Sequence, residues 1–505
     1  MEAVCDEMGA VLRNAAFSPN IRDRLDFSCA VFDQLGELCA QAAHIPVHLG
    51  SMAFAMRSIV EQLEWQAGDM VILNNPYLGG THLPDVTLIA PLFISDKLTA
   101  FVVNRAHHAD IGAESPGSMP ISTNLHEEGQ IIGPVHLMRS GSLDQGLLES
   151  LAGNTRNPEE SHGDFAAQIS ANRNGLARLQ ELIVERGMDG FFTGLQALNS
   201  YGEKLALDAL RTIPDGEYSF QDWMDDDGQG NENISIQVSL TVNNGRVKAD
   251  FTGSAAQVSG NINAPLSVAA AAVYYVFRCL MPSYTPACAG TFRPISLHAP
   301  EGTLLNARYP AAVAAGNVET STRLVDVVMG ALAKALPEQI PAASHGSMNN
   351  LAMGGESDTG HWDYYETIGG GMGAGAQYDG LSGLQTHMTN TLNTPIEVLE
   401  SRFPLRINRY QLRRASGGYG LHKGGDGLIR EFEFLSPTTV TLLTERRSHQ
   451  PWGIAGGAPG QAGQNYLNDE QLPGKTCRQL KPGQRLTIKT PGGGGFGSTT
   501  QNMKD

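Results

Sequence analysis

Apolar side chains recur at helical spacing over residues 1–17, and Pro19 with Asn20 closes that run. The pattern then turns strand-like at 29–32, and a polar turn at 33–37 leads into a second short run, which predicts a hairpin. Helical spacing returns over 51–63. Three β-like runs follow at 70–73, 86–93 and 99–103, separated by loops that hold histidines and aspartates. Residues 164–209 are strongly helical in period, with a break at 187–190. Beyond Pro214-Asp215-Gly216 the character changes: runs at 234–242 and 247–251 flank Asn243-Asn244-Gly245, a hairpin signal because Asn-Gly accepts positive φ. Helices are predicted over 267–280 and 320–336. Gly- and Asn-rich sequence dominates 347–383, and the last hundred residues interleave glycines with short strands such as 427–434 and 438–443. No solenoid or propeller period occurs. The expected class is α+β, mixed and multi-layered, with a β-rich, Gly-rich C-terminal part. Three units are expected: 1–210, which carries the chemistry, 211–345, a central α+β unit, and 346–505.

Composition narrows the function. The chain has 505 residues, 41% of them hydrophobic and only 17% charged, enough for a large core. Its 52 acidic and 35 basic side chains give a formal charge of −17, which repels phosphate backbones and anionic lipid. Neither nucleic acid nor a membrane is an expected partner. Six cysteines (Cys5, Cys29, Cys39, Cys279, Cys288, Cys477) lie scattered without a CxxC pair, the pattern of reduced thiols in a cytoplasmic protein. The most apolar stretch, residues 266–277, is stopped by Arg278 well short of the roughly 20 residues that cross a bilayer, so a buried helix is expected. The opening run is already helical without a capping residue, and the natural N-terminus is expected to extend further.

Two segments concentrate the chemistry. Gly79-Gly80-Thr81-His82-Leu83-Pro84-Asp85 and Asn104-Arg105-Ala106-His107-His108-Ala109-Asp110 bring three histidines and two carboxylates into a charge-poor region. Imidazole nitrogen with carboxylate oxygen is a donor set for a divalent metal with an open coordination position, and Mn, Zn and Fe all accept it. Pro84 fixes a turn that would aim His82 and Asp85 into one concavity. On an extended chain His107 and His108 face opposite ways, so either His107 points in alone or His108 shares the other face with Asp110. A loop hydrogen bond or a buried structural imidazole is the bland alternative for each segment. The glycine run 369–375 lacks the following Gly-Lys-Ser/Thr of a phosphate loop, and reads as a flexible crossing or a close approach to substrate. The run 491–497 reads as a mobile or tightly turned tail. No Gly-x-Ser-x-Gly elbow is present.

Longer motifs carry a family resemblance. Residues 13–30 (Arg13-Asn14-Ala15-Ala16-Phe17-Ser18-Pro19-Asn20-Ile21-Arg22-Asp23-Arg24-Leu25-Asp26 and onward), His44-Ile45-Pro46-Val47-His48, Asn75-Pro76-Tyr77 through Asp85, 260–265, 387–395 and 416–420 closely resemble the hydantoinase B family. That family includes the B subunit of ATP-dependent N-methylhydantoinase, the C-terminal half of 5-oxoprolinase and subunits of acetone and acetophenone carboxylases. The resemblance implies a B subunit of an ATP-dependent cyclic amidase, completing metal-assisted hydrolysis of a substrate phosphorylated by a hydantoinase A-type subunit. ATP would be bound by that partner, in a hetero-oligomer. It also implies His82, Asp85 and His107 as metal positions; these three are expected to be catalytic, together with His108, the adjacent imidazole, as an orienting neighbour. Asp23 is a further metal candidate, standing where relatives often carry Glu, and Asp26 is its rival. The alternatives are a carboxylase-type subunit and a non-catalytic scaffold for the A subunit.

Overall fold

The first part of the chain runs α1 (Glu2–Ala15), α2 (Pro19–Arg22), β1 (Phe27–Asp33), β2 (Leu38–Gln41), α3 (Pro46–Gln62), β3 (Met70–Leu73), β4 (Asp85–Ile94), β5 (Lys97–His107), β6 (Val135–Arg139) and β7 (Ser142–Leu143). The computed structural model describes residues 1–42, 44–357 and 360–498. These strands form one antiparallel sheet in the order β2-β1-β5-β4-β3-β6-β7, so β4 and β5 lie at its centre. Both are apolar on both faces because both faces are covered. Val86, Leu88, Val102 and Ala106 pack toward α1 and the long helix α5 (Pro158–Arg186), which follows α4 (Gln145–Gly153). Ile89, Phe101 and Val103 pack toward α3. Asn157 caps α5, its side chain accepting from Glu160 N, and Pro158 fills the first turn, where no amide partner is needed.

After α6 (Met188–Leu210), strands β8 (Gly216–Asp226), β9 (Glu232–Asn243), β10 (Arg246–Asp250) and β11 (Ile295–His298) make a second sheet, ordered β11-β10-β9-β8. Against it lie α7 (Leu266–Cys279) and α9 (Ser321–Leu332), while the short α8 (Ala289–Phe292) packs on α6, with Gly290 N donating to Asn199 Oδ1 (3.0 Å). The α7 helix is the apolar stretch expected to be buried; among the described residues no helix is long and apolar enough to cross a membrane. It crosses α3 so closely that a Cβ at Gly50 would strike Ala271. A π-helical turn, Gly316–Thr320, leads directly into α9.

The remaining strands are β12 (Asn350–Ser357), β13 (Gly360–Glu366), then, after α10 (Ile396–Arg402), β14 (Leu405–Arg413), β15 (Gly427–Phe434), β16 (Thr438–Leu443), β17 (Gln464–Leu467), β18 (Glu470–Leu472), β19 (Lys475–Leu480) and β20 (Arg485–Lys489). They form two further sheets, β13-β12-β16-β19 and β14-β15-β20-β17-β18. Helix and strand each account for about 30% of the chain, and the C-terminal part is strand-rich: the α+β class holds.

The glycine runs differ from expectation. Neither 369–375 nor 491–497 is a loose crossing or tail: extended segments stack backbone on backbone, with Gly371 N donating to Pro491 O (3.1 Å), Gly425 N to Met372 O (2.8 Å) and Gly493 N to Gly425 O (2.9 Å). A Cβ at Gly371 would collide with the Gly425 carbonyl, so bare backbone is a packing requirement here.

Candidate metal centre

Asp85 opens β4 and His107 closes β5, and the antiparallel register sets them directly opposite each other. His82 arrives from the preceding turn, where Asp85 N donates to His82 O (3.1 Å) and Pro84 supplies the bend. All three side chains are buried. His82 Nε2 and His107 Nδ1 each lie 3.2 Å from Asp85 Oδ1 and 3.3 Å from one another. This is the group of histidine and carboxylate atoms close enough to hold one metal ion among the described residues.

The remaining atoms of the three residues are committed elsewhere. His82 Nδ1 donates to the Ala314 carbonyl (3.1 Å), which orients the ring and turns Nε2 to Asp85 and His107. Asp85 Oδ2 is met by His48 Nε2 (3.1 Å), by Asn317 Nδ2 (3.2 Å) and by the Thr81 hydroxyl, so Oδ1 is the oxygen turned to the imidazoles. The His107 ring stacks on Tyr365 at 4.7 Å between centroids. Arg105, one turn of the pleat back, ties the frame together through Thr87 Oγ1 (2.8 Å), Ser51 Oγ (2.6 Å) and the Gly79 carbonyl (2.9 Å).

Burial pushes the Asp85 carboxyl up, but the neighbouring His48 and His82 charges and the bonds from His107 and His48 outweigh it, holding Asp85 well below the carboxylate range. For His82 burial pulls the imidazole down and the Asp85 charge and hydrogen bond more than reverse it. At His107 burial wins and the ring is depressed. An anionic carboxylate oxygen converging with two imidazole nitrogens fits a divalent cation in its donor chemistry.

The other candidates fall outside this group. His108 points to the opposite face, as strand alternation requires, where its Nε2 meets Gln168 Oε1 on α5 (3.0 Å) and its ring packs on Phe165. Asp110 is bound by Ser118 Oγ (2.7 Å), Gly112 N (2.8 Å) and Arg156 N (2.7 Å). Asp23 is held by Arg22 (3.0 Å) at a partly exposed position and is not brought to the three ligand candidates. Asp26 is nearer: its carbonyl accepts from His107 N (3.0 Å), and its charge raises both His82 and His107. Sequence reasoning missed His48 and Asn317. His48 sits in the first turn of α3, where Pro46 after Ile45 is the available signal; Asn317 lies in the π turn, outside any periodic pattern.

The sequence and the fold both have counterparts among known proteins. The family model described as Hydantoinase B/oxoprolinase matches residues 1–499. A 5-oxoprolinase of Arabidopsis thaliana is 39% identical over 98% of this chain and 41% of its own length. A putative D-/L-hydantoinase B subunit from a Pseudomonas species is 33% identical over 99% of this chain and 88% of its own. The chain thus spans about two fifths of that 5-oxoprolinase but most of the hydantoinase protein. Among solved structures, the ATP-dependent caprolactamase of Pseudomonas jessenii superposes with a TM-score of 0.92 at 28% identity, covering 98% of this chain and 89% of that one. Acetone carboxylase superposes at 0.89 over 98% and 74%, but at 17% identity, which speaks to the fold alone. The chain belongs to the hydantoinase B/oxoprolinase family.

Proposed function

We propose that this chain is the hydrolytic subunit of an ATP-dependent cyclic amidase, opening a hydantoin- or 5-oxoproline-like ring that an A-type partner has activated by phosphorylation. The observation that carries the reading is the buried His82, Asp85 and His107 group in a chain matched by the family along almost its whole length. His82 Nε2, Asp85 Oδ1 and a His107 ring nitrogen would hold the metal, Mn, Zn or Fe. Such a metal supplies Lewis acidity and makes water acidic enough to react near neutral pH. The chain's own residues do the rest. His48, Asn317 and Thr81 grip Asp85 Oδ2 and aim Oδ1, Ala314 orients the His82 ring, and burial keeps bulk water from the reacting centre. Phosphorylation upstream turns a resonance-stabilised amide carbonyl into a better electrophile, which is why ATP is needed. No phosphate-cradling loop followed by Lys and Ser/Thr occurs in this chain, in keeping with ATP being bound by the partner.

The test combines the purified chain, an A-type partner and ATP with 5-oxoproline, hydantoin or caprolactam. Ring opening coupled to ADP release is expected with one of them and with both proteins present. ATP hydrolysis by the chain alone would remove the division of labour. Full turnover by a metal-depleted preparation would leave only the scaffold reading. His82→Ala, Asp85→Ala and His107→Ala should each lose bound metal by elemental analysis while keeping their circular dichroism. His48→Ala should weaken metal affinity roughly 10- to 100-fold, as loss of an orienting partner does. His108→Ala, turned to Gln168, should retain the metal.

A further inference from the structure

A second cavity, of about 520 Å³, opens between the end of α1, the start of α5, β13 and the end of α10. It is apart from the three ligand candidates, none of which lines it. Its lining carries charge of both signs: the carboxylates of Asp363, Asp110, Glu159 and Glu160, and the guanidinium groups of Arg402 and Arg22. Asp363 is the informative member. Only 6% of its side chain is exposed, and its Oδ1 accepts from Gly117 N (3.0 Å) with the Arg156 guanidinium 3.8 Å away. Its Oδ2, also buried, has no hydrogen-bond partner. A buried carboxylate oxygen without a donor is costly, and native structures supply one. Burial, with the Asp110 charge, pushes Asp363 up to about 7 against the Arg156 charge, and burial, with Asp164, does the same for Glu160 against the charges of Arg402 and Arg22. Of the two lining cations Arg22 is already engaged by Asp23, whereas Arg402 makes no ion pair among the described residues.

We propose that this cavity binds a small amino-acid zwitterion, its ammonium donating to Asp363 Oδ2 and the Glu160 carboxylate and its carboxylate accepting from the Arg402 guanidinium. An ammonium supplies the donor that Oδ2 lacks, and a planar guanidinium is the side chain best suited to a carboxylate. A ligand with a single charge leaves either Asp363 Oδ2 or Arg402 without a partner. The site stands independently of the reaction at the metal centre.

The test is a melting-temperature screen of the full chain against the standard L-α-amino acids, with methylammonium and acetate as half-ligands. At least one amino acid should raise the melting temperature, and titration calorimetry should then show at least a tenfold weaker affinity in Asp363→Asn and in Arg402→Gln. Asn keeps the acceptor for Gly117 N, and Arg402 lies at the exposed end of α10, so both variants are expected to fold; circular dichroism checks this. Absence of any stabilising amino acid, affinity that survives both substitutions, or equal binding of methylammonium would each overturn the proposal.

Discussion

At the scale of single residues, the buried group of His82, Asp85 and His107 shows which part of a candidate site local sequence can reveal. His82 and Asp85 are three apart across a proline turn, and His107 is the cross-strand partner of Asp85, so the two segments that carried the signal are the two that meet. The alternation rule also separated His107 from His108. His48 and Asn317 were beyond reach because only tertiary packing brings α3 and the π turn to Asp85 Oδ2. Glu128 is another such residue. Its Oε1 accepts from Ser122 Oγ (2.7 Å), Val313 N (2.9 Å) and Ala314 N (3.0 Å), while Oε2 is buried and unpartnered, and burial pushes the carboxyl from 4.5 up to about 7. A carboxyl raised in the folded state contributes stability that is fully present below about pH 4.5 and is lost as pH rises through about 7. At about 1.4 kcal/mol per unit the loss is roughly 3 kcal/mol. Glu128→Gln keeps the acceptor and removes the charge, so it should unfold at higher urea than the parent near pH 8 and at similar urea near pH 4.5. An equal offset at both would assign the pH dependence to other groups.

At the scale of elements, what the sequence revealed depended on whether the local pattern runs uninterrupted. Strands expected at 70–73, 427–434 and 438–443 were found with those bounds, and the hairpin around Asn243-Asn244-Gly245 was found nearly so. Helix α3 begins at Pro46, five residues before its expected start, because it is covered by the sheet on one side and α7 on the other and has no clean amphipathic stripe. Strands β12 and β13 were hidden in sequence that reads as Gly- and Asn-rich loop: Gly354 and Gly355 interrupt the alternation, although β12 pairs on both edges, with β13 and β16. The glycine stack misled for a related reason, since composition alone cannot separate backbone that moves from backbone that is packed. Two substitutions distinguish them. Gly371→Ala forces a methyl into the Gly425 carbonyl and should cost at least roughly 1–3 kcal/mol in urea unfolding, as overpacking does. Gly153→Ala, at the end of α4 with open space around the new methyl, should range from neutral to a gain of up to about 1 kcal/mol. Equal effects would mean that the stacked segments yield readily.

At the scale of the molecule, parts distant in sequence are joined by buried charge as well as by apolar contact. Arg446, just beyond β16, donates to Asp222 Oδ2 on β8 (2.8 Å) and to Asp326 Oδ2 on α9 (2.5 Å). Beside it Glu445 accepts from Arg323 on α9 (3.0 Å) and from Lys475 at the start of β19 (2.5 Å). All of these side chains are nine-tenths buried or more. None was singled out by the sequence, in which they are ordinary charges spread over some 250 residues, and periodicity carries no information about pairs so far apart. The network fixes α9, and with it the π turn that delivers Asn317 to Asp85. Removing one member leaves its partners charged and buried, the costly case, whereas a solvent-exposed pair is worth little. Arg446→Met should therefore destabilise by about 3–5 kcal/mol, since Asp326 loses its guanidinium partner and Asp222 keeps only the more distant Arg323 (3.7 Å). Arg308→Met, which breaks only the exposed Arg308–Glu301 pair, should cost less than about 1 kcal/mol. Urea unfolding of the two variants side by side decides it: if Arg446→Met unfolds no earlier than Arg308→Met, the network is not what holds the β8 sheet, α9 and the C-terminal strands together.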